Sequence, residues 1–220
     1  MSARRLLRGV VALLACLVAA GSAVGRADPI PAWMPSAQYS TMPAHLFVTG
    51  RFLSQPDTTN GAFTVVVRNW YNNPVPNSLV VLDFSAALEV RLASSSLVAG
   101  TTVNCTHRTV RRVTDSSGRA SFTILGAGLG PSTFPSVPTA SITADGVALG
   151  TVSVSVLDLD GANGVGANDL AIWLDDLGAA TPSMRGDHDG SGALGANDLS
   201  IWLTAAGTGT SAHSATPTCP

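Results

Sequence analysis

The sequence predicts a mainly β chain: an antiparallel β-sandwich followed by a small α-helical module. Three observations carry this. Between residues 45 and 157 the chain is a series of short β-rich runs separated by turn signals. From Asp158 to Gly207 it repeats itself, with Asp187 following Asp158 by 29 positions and GANDL recurring unchanged. Only 12% of the residues are charged and the net charge is −2. That is too little charge for a disordered tail and the wrong sign for nonspecific nucleic-acid binding, which runs on clustered cations.

The chain opens with an address. Arg4, Arg5 and Arg8 form a basic start, residues 10–20 are an apolar run, and small residues follow up to Ala27. This reads as a secretory signal peptide over residues 1–27, too short in its apolar part to span a bilayer. Cleavage fits after Ala23, Gly25 or Ala27. Cys16 lies in the middle of the apolar run, which argues against lipid attachment there. No second long apolar stretch exists, so the mature chain is expected to have no membrane span and to be secreted, extracellular or on the cell surface. All twelve basic residues are arginine, and the acids are thirteen Asp and one Glu, Glu89. A lysine-free, arginine- and alanine-rich chain looks like the product of a GC-rich bacterium.

Residues 28–44 read as an N-terminal extension. The β region, 45–157, has runs at 45–52, 62–70, 78–84, 88–93, 109–114, 120–125, 140–144 and 147–156. The turns between them are chemically legible. Asn72-Asn73-Pro74 and Asp115-Ser116-Ser117-Gly118 supply residues that tolerate left-handed or fixed backbone angles. Asp145-Gly146 between two β runs is the strongest short hairpin signal. Seven or eight short strands at this spacing suggest an antiparallel sandwich. Arg108, Arg111, Arg112 and Arg119 are expected to form a solvated basic strand face.

Export changes the reading of the cysteines. Cys16 leaves with the signal, and Cys105 and Cys219 remain. In an oxidising compartment they either pair, closing a loop of more than 100 residues, or stay as two thiols, one on a frayed tail. A bridge of that span adds roughly 4–5 kcal/mol in the chain-entropy picture.

The stretches NWYNNPVPNSLVVLDFS and TDSSGRASFTI resemble bacterial immunoglobulin-like domains of adhesins and surface proteins. There, one strand ends in an N-P-V-P turn and a later one follows a T-D-x-x-G-x-A turn. The resemblance covers about half of the β region. It implies an immunoglobulin-like sandwich that spaces or displays other modules, and it implies no catalysis.

The repeat carries metal chemistry. With Asp187 first in a twelve-residue loop, Asp189 is third, Ser191 fifth, Gly192 sixth, Ala193 seventh and Asp198 twelfth. This is the ligand rhythm of an EF-hand-type calcium loop. Alternate side chains of the first half-loop converge on one ion, a residue tolerant of the left-handed region turns the chain at the sixth place, and the seventh lends its carbonyl. In the first loop Asp158, Asp160 and Asp169 fill the first, third and twelfth places, and Gly164 the seventh. Ala162 offers no oxygen at the fifth place, and Asn163 replaces glycine at the sixth. Two Ca2+ sites are therefore expected, the first weaker, with water a replacement for its missing ligand. Val165 and Leu194, at the eighth places, are expected to pair in a short β-bridge.

A helix is expected after each loop. Leu170, Trp173, Leu174 and Leu177 fall at helical spacing, as do Leu199, Trp202, Leu203 and Ala206, giving one apolar stripe per helix. Gly178 and Gly207 are good helix stops. The tryptophans are expected to pack between the two helices, with sugar stacking the alternative. A duplicated calcium loop and helix, with Asp at the twelfth place and no preceding helix, resembles the dockerin module over residues 158–207. That resemblance implies docking to a cohesin-like partner protein through the tenth and eleventh places, here Ala167-Asn168 and Ala196-Asn197. The lysine and arginine that often follow in type I dockerins are missing here. Residues 208–220 read as a flexible tail.

Charge follows the division. Residues 158–198 contain eight acids and one base, Arg185, while residues 28–157 contain six acids and seven bases. Six of the eight acids fall on ligand places; Asp175 and Asp176 do not, and are expected to be exposed. No catalytic constellation emerges. Asp57, Asp83 and Glu89 are not paired by spacing, and His45, His107, His188 and His213 share no metal-binding rhythm. The chain therefore reads as a secreted, noncatalytic display protein whose last module docks to a partner. The alternatives are a free-standing adhesin-like or structural protein in which calcium only stiffens the end, and, more weakly, a carbohydrate-binding β-sandwich, for which Trp70 and Tyr71 are the adjacent aromatic pair.

Overall fold

The computed structural model describes residues 30–131, 136–208 and 218–219. The signal peptide expected over 1–27 and His213 lie outside the described residues. The fold is mainly β, and residues 31–220 form one compact unit.

In chain order the elements are β1 (His45–Thr49), β2 (Arg51–Phe52), β3 (Gln55–Pro56), a single helical turn α1 (Thr58–Gly61), β4 (Ala62–Val66), β5 (Leu79–Asp83), β6 (Val90–Leu92), β7 (Thr101–Asn104), β8 (Thr109–Val113), β9 (Arg119–Gly128), β10 (Thr139–Ala144) and β11 (Val147–Val156). Helix α2 (Ala167–Gly178), a 3-10 turn (Met184–Gly186) and helix α3 (Ala196–Thr208) follow. β7 carries no strand signal in the sequence; its four residues pair with β8, from Thr101 opposite Arg112 to Asn104 opposite Thr109, without strong alternation of burial. Asp57, unassigned from sequence, caps α1 by accepting the amides of Thr59 and Asn60, each at 3.1 Å.

Local chemistry explains the turns. Asp145 and Gly146 both have positive φ, 48° and 81°, as a two-residue hairpin of the I′ kind requires. They join β10 to β11 with Ala144 opposite Val147. The Asp145 carboxylate also accepts the Leu79 amide at 2.8 Å, tying the hairpin to β5. Asp115 Oδ1 accepts the amides of Ser117 and Arg119 and the Ser117 hydroxyl. These bonds, the hydroxyl's first, hold its carboxyl below the usual range.

Hydrogen bonding runs continuously through one curled sheet in the order β4-β9-β1-β11-β10-β5-β8-β7, with β6 added to β9. The sheet is mixed, where the sequence suggested antiparallel pairing alone: β1 lies parallel to both β11 and β9. Turn signals report only neighbours in sequence. β1 is far from both partners along the chain, and the long connections that parallel pairing needs are available. One core lies inside the curl. It draws Val65 from β4, Phe122 and Ile124 from β9, Leu46 and Val48 from β1, Val152, Val154 and Val156 from β11, and Val80 and Leu82 from β5.

The basic strand face takes another form. Arg108 donates to the carbonyls of Ala87 and Val90, both at 2.6 Å, and Arg112 to those of Ala99 and the Thr101 hydroxyl. Both are half-buried, with their guanidinium groups spent on carbonyls and a hydroxyl of the neighbouring segments.

Cys105 and Cys219 form a disulfide. Beside it Thr218 bridges Ala93, and Cys219 donates its amide to Leu92 at 2.7 Å. These last described residues are thus held against β6, and Cys219 is buried.

Candidate metal centre

β11 ends at Val156 and Leu157 leads directly into Asp158, with no linker between strand and loop. The first loop is stitched to the sheet: Gly128 donates to the Asp158 carbonyl at 2.6 Å and Gly130 to that of Leu159 at 2.9 Å. The second place of each loop points into the β unit. Leu159 is fully buried in the main core. Its repeat equivalent His188 is also fully buried, stacked on Phe47 of β1 with ring centroids 5.9 Å apart. His45 of β1 sits against Gly190 of the second loop, and both its ring nitrogens are bonded to hydroxyls, Ser153 at 2.8 Å and Ser155 at 2.9 Å. Burial lowers the pKa of His45 and takes that of His188 down to about 3. The part His45 plays beside the second loop had no sequence signal, since it rests on a contact across more than half of the chain.

Each loop ends in the recurring GANDL, and its structure explains the recurrence. Gly166 is the N-cap of α2 and Asp169 its third residue; Asp169 Oδ2 reaches back to the Gly166 amide at 2.7 Å. Asp198 does the same for Gly195 at 2.8 Å. This is half of a capping box. The other oxygen of each carboxylate accepts amides across its own loop, from Leu159 and Asp160 to Asp169 and from Asp189 to Asp198. One aspartate therefore starts the helix and closes the loop.

The structure brings Asp158, Asp160 and Asp169 together, and separately Asp187, Asp189 and Asp198. Within each triad the ligand oxygens lie within 4.8 Å of one another. The sixth places, Asn163 and Gly192, both have positive φ, 63° and 84°. Ser191 donates its hydroxyl to the Ala193 carbonyl at 3.2 Å, so the fifth and seventh places of the second loop are adjacent. In the first loop Ala162 supplies no such oxygen; a hollow of about 200 Å3 there is lined by Asp160, Ala162, Asn163, Gly164 and the start of α2. Burial first, then a neighbouring carboxylate, pushes up the carboxyls of Asp169 and Asp187. The Ser191 hydroxyl and amide hold Asp189 low. Clustered carboxylates with a backbone carbonyl nearby are the hard oxygen donor set of a divalent cation such as calcium.

Several expectations for the helices need correction. Leu174, Leu177 and Leu203 are exposed at 50%, 43% and 51%. The buried face of α2 is instead Asp169, Ile172, Trp173 and Asp176. The stripe is rotated because the capping aspartate and the tryptophan, not the leucines, are fixed by the loop and the sheet. The tryptophans do not share one helix–helix cluster. Trp173 joins the main β core, and Trp202 packs with Leu157, Ala205 and Phe47. Val165 and Leu194 form no β-bridge: Val165 packs into the cluster of Trp202, and Leu194 into that of Trp173. Asp176 is buried. Its carboxylate takes two bonds from Arg185, at 2.8 and 3.2 Å, and Arg185, itself fully buried, also donates to the Gly130 carbonyl. Burial pushes the Asp176 carboxyl up against the pull of Arg185. Close by, Glu89 accepts the hydroxyls of Ser136 and Ser183. These bonds fasten the segment between the repeats to the rim of the sheet.

Ala167, Asn168, Ala196 and Asn197 lie exposed in the first turns of α2 and α3. Exposed Leu174 and Leu203 occupy equivalent positions two turns on. Among the described residues no helix is long and apolar enough to cross a membrane.

No family model matches the chain, and no curated protein is significantly similar to it. Among solved structures, the adhesin InvE of Yersinia pseudotuberculosis is similar at 18% identity and a TM-score of 0.26. That match covers 58% of this chain and 29% of the adhesin's, a likeness too slight to carry an argument.

Proposed function

We propose that this is a secreted, noncatalytic calcium-binding protein that displays a dockerin-like end for docking to a partner of cohesin type. The observation that carries the reading is the duplicated triad, with three aspartates drawn within 4.8 Å at the same places of two loops. Asp158, Asp160, the Gly164 carbonyl and Asp169 would hold one Ca2+. Asp187, Asp189, Ser191, the Ala193 carbonyl and Asp198 would hold the other. Bound there, calcium neutralises carboxylates that otherwise repel one another.

Docking is supported by two equivalent exposed faces, Ala167, Asn168 and Leu174 on α2 and Ala196, Asn197 and Leu203 on α3. We read the curled sheet as an immunoglobulin-like sandwich, since strands from both ends of the hydrogen-bonded order share one core. Secretion is supported by the basic-apolar start and by the disulfide, which belongs to an oxidising compartment. A second reading, in which calcium only stiffens a free-standing extracellular protein, is favoured by the direct passage from β11 into the first loop.

Calcium titration by calorimetry of the full chain, followed by titration with cohesin-domain proteins, tests both. Two binding events followed by calcium-dependent partner binding are expected. Calcium binding without any partner would favour the second reading, and absence of calcium heat would sink both.

A further inference from the structure

We infer that the end of the sheet carrying Trp33, Trp70 and Tyr71 is a binding site for a neutral oligosaccharide chain. The inference does not depend on the calcium reading. Of the four tryptophans, two are buried at 1% and 4%, whereas Trp33 and Trp70 are exposed at 65% and 41%, and Tyr71 at 59%. The three exposed rings stand on two turns bonded to each other. One turn spans residues 31–34 and is closed by the Met34 amide on the Pro31 carbonyl at 3.0 Å. The other follows β4: Arg68 bridges Pro74, Asn69 donates to the Asn73 carbonyl and Asn72 to that of Asn69, both at 2.9 Å.

Asn69 locks the pair. It is buried at 4% exposure, and its amide oxygen accepts the amides of Tyr71 at 2.9 Å and Asn73 at 3.0 Å. Its amide nitrogen donates to the Ala32 carbonyl, and its backbone bridges Pro35. A buried side chain with its amide oxygen and nitrogen both engaged thus fixes the backbone under rings that remain in solvent. Stiff turns reduce the ordering cost that a ligand must overcome.

Charge selects the occupant. Residues 31–40 and 69–77 contain no acid and no base. The adjoining Arg68 guanidinium donates to the Asn72 carbonyl at 2.8 Å. The same two segments expose the amides of Gln38, Asn72, Asn73 and Asn77. Ring faces accept the C–H faces of sugar rings, and amides match hydroxyls as both donors and acceptors. An anionic glycan or a nucleic acid would call for a cluster of cations, whereas the two turns carry none of their own and Arg68 adjoins them. Exposed aromatics rimmed by polar groups mark an interaction site, and here both components suit an uncharged polyhydroxyl chain.

The test is calorimetry and tryptophan fluorescence of the full, disulfide-bonded chain with neutral hexasaccharides: β-1,4-linked glucose, xylose and mannose, and α-1,4-linked glucose. An anionic uronic-acid hexamer is the control. At least one neutral oligomer is expected to bind and to shield the exposed indoles from acrylamide. Trp33→Ala, Trp70→Ala and Tyr71→Ala should each weaken binding about tenfold, while Tyr71→Phe, which keeps the ring, should retain it. Circular dichroism checks that each variant is folded. The inference is overturned by no binding of any neutral oligomer at millimolar concentration, by binding of the anionic oligomer alone, or by affinity that survives all three alanine substitutions. Shielding that arises from self-association of the chain without sugar would also overturn it.

Discussion

The indole nitrogen of Trp202 donates to the carbonyl of Leu157 at 3.1 Å. Leu157 is the residue immediately before the first loop, and Trp202 belongs to the helix after the second. The converse bond also exists: Trp173, in the first repeat's helix, donates to Gly186, immediately before the second loop, at 3.1 Å. Each repeat therefore ties down the entrance of the other's loop. A β-carbon at position 186 would stand 2.5 Å from the Trp173 ring, so glycine is required there by close approach. The recurrence of tryptophan at this place has a physical reason that apolar periodicity alone does not supply: the helix needs a large ring that also donates.

Trp173→Phe and Trp202→Phe should each lower stability by about 1–3 kcal/mol, the penalty for a buried carbonyl left without a donor. Alanine at either position should cost about 3–5 kcal/mol through the cavity it leaves. Denaturant unfolding measures both. A phenylalanine variant as stable as the parent would show that the indole bonds contribute nothing.

Removing one member of the Arg185–Asp176 pair leaves a buried charge. Asp176→Asn and Arg185→Met should each destabilise by about 3–5 kcal/mol. Replacing both partners by apolar residues should recover much of the loss, though the Gly130 carbonyl then lacks its donor. If the double variant is as damaged as the singles added together, the two charges are not coupled.

His188 is held neutral in the fold, its pKa taken to about 3 by burial, against an ordinary value of 6.5. The unfolded chain therefore binds more protons between these values, and stability falls as pH drops from 6.5 towards 3, by up to about 1.4 kcal/mol per unit. His188→Leu should flatten that part of the curve in calcium-free buffer. Parallel curves for parent and variant would contradict the assignment.

Under the calcium reading the second loop is the stronger site, because Ser191 adds a hydroxyl where Ala162 adds nothing. Asp187→Ala should abolish most of the calorimetric heat, and Asp158→Ala less. Saturating calcium at a hundred times its dissociation constant should add about 2.7 kcal/mol of stability. Chelation should correspondingly raise hydrogen exchange in residues 158–207. Equal loss of heat from the two variants would remove the asymmetry.

The disulfide joins residues 114 positions apart. Cys105→Ser with Cys219→Ser should cost about 2–5 kcal/mol, read by thermal unfolding. Release of residues 218–219 from β6 should appear as faster exchange of the backbone amide at position 219, which in the parent bonds the Leu92 carbonyl. Unchanged exchange would mean that the backbone pairing holds the tail without the bridge.

The features legible in the chain are local or periodic. Asp145-Gly146 specified a hairpin because two positive φ angles in succession admit few residues. The 29-residue recurrence located both loops and announced a helix with each, because the repeated places lie within twelve residues of one another; that the helices begin at Ala167 and Ala196, inside the loops, rests on the bonds of Asp169 to Gly166 and Asp198 to Gly195. The tertiary structure alone decided what depends on partners distant along the chain. The parallel placement of β1 beside β9 and β11 leaves no turn signal. The burial of Asp176 followed from Arg185 and a carbonyl of Gly130, 46 positions before it, which no helical pattern records. The exposure of Leu174 and Leu203 followed because a stripe shows that a helix has an apolar side, while only the sheet decides which residues of it are covered. The turn that carries Trp33 was joined to the turn that carries Trp70 and Tyr71 through the side chain of Asn69, a long-range bond between a polar residue and a backbone carbonyl. Composition and spacing carry no trace of such a bond.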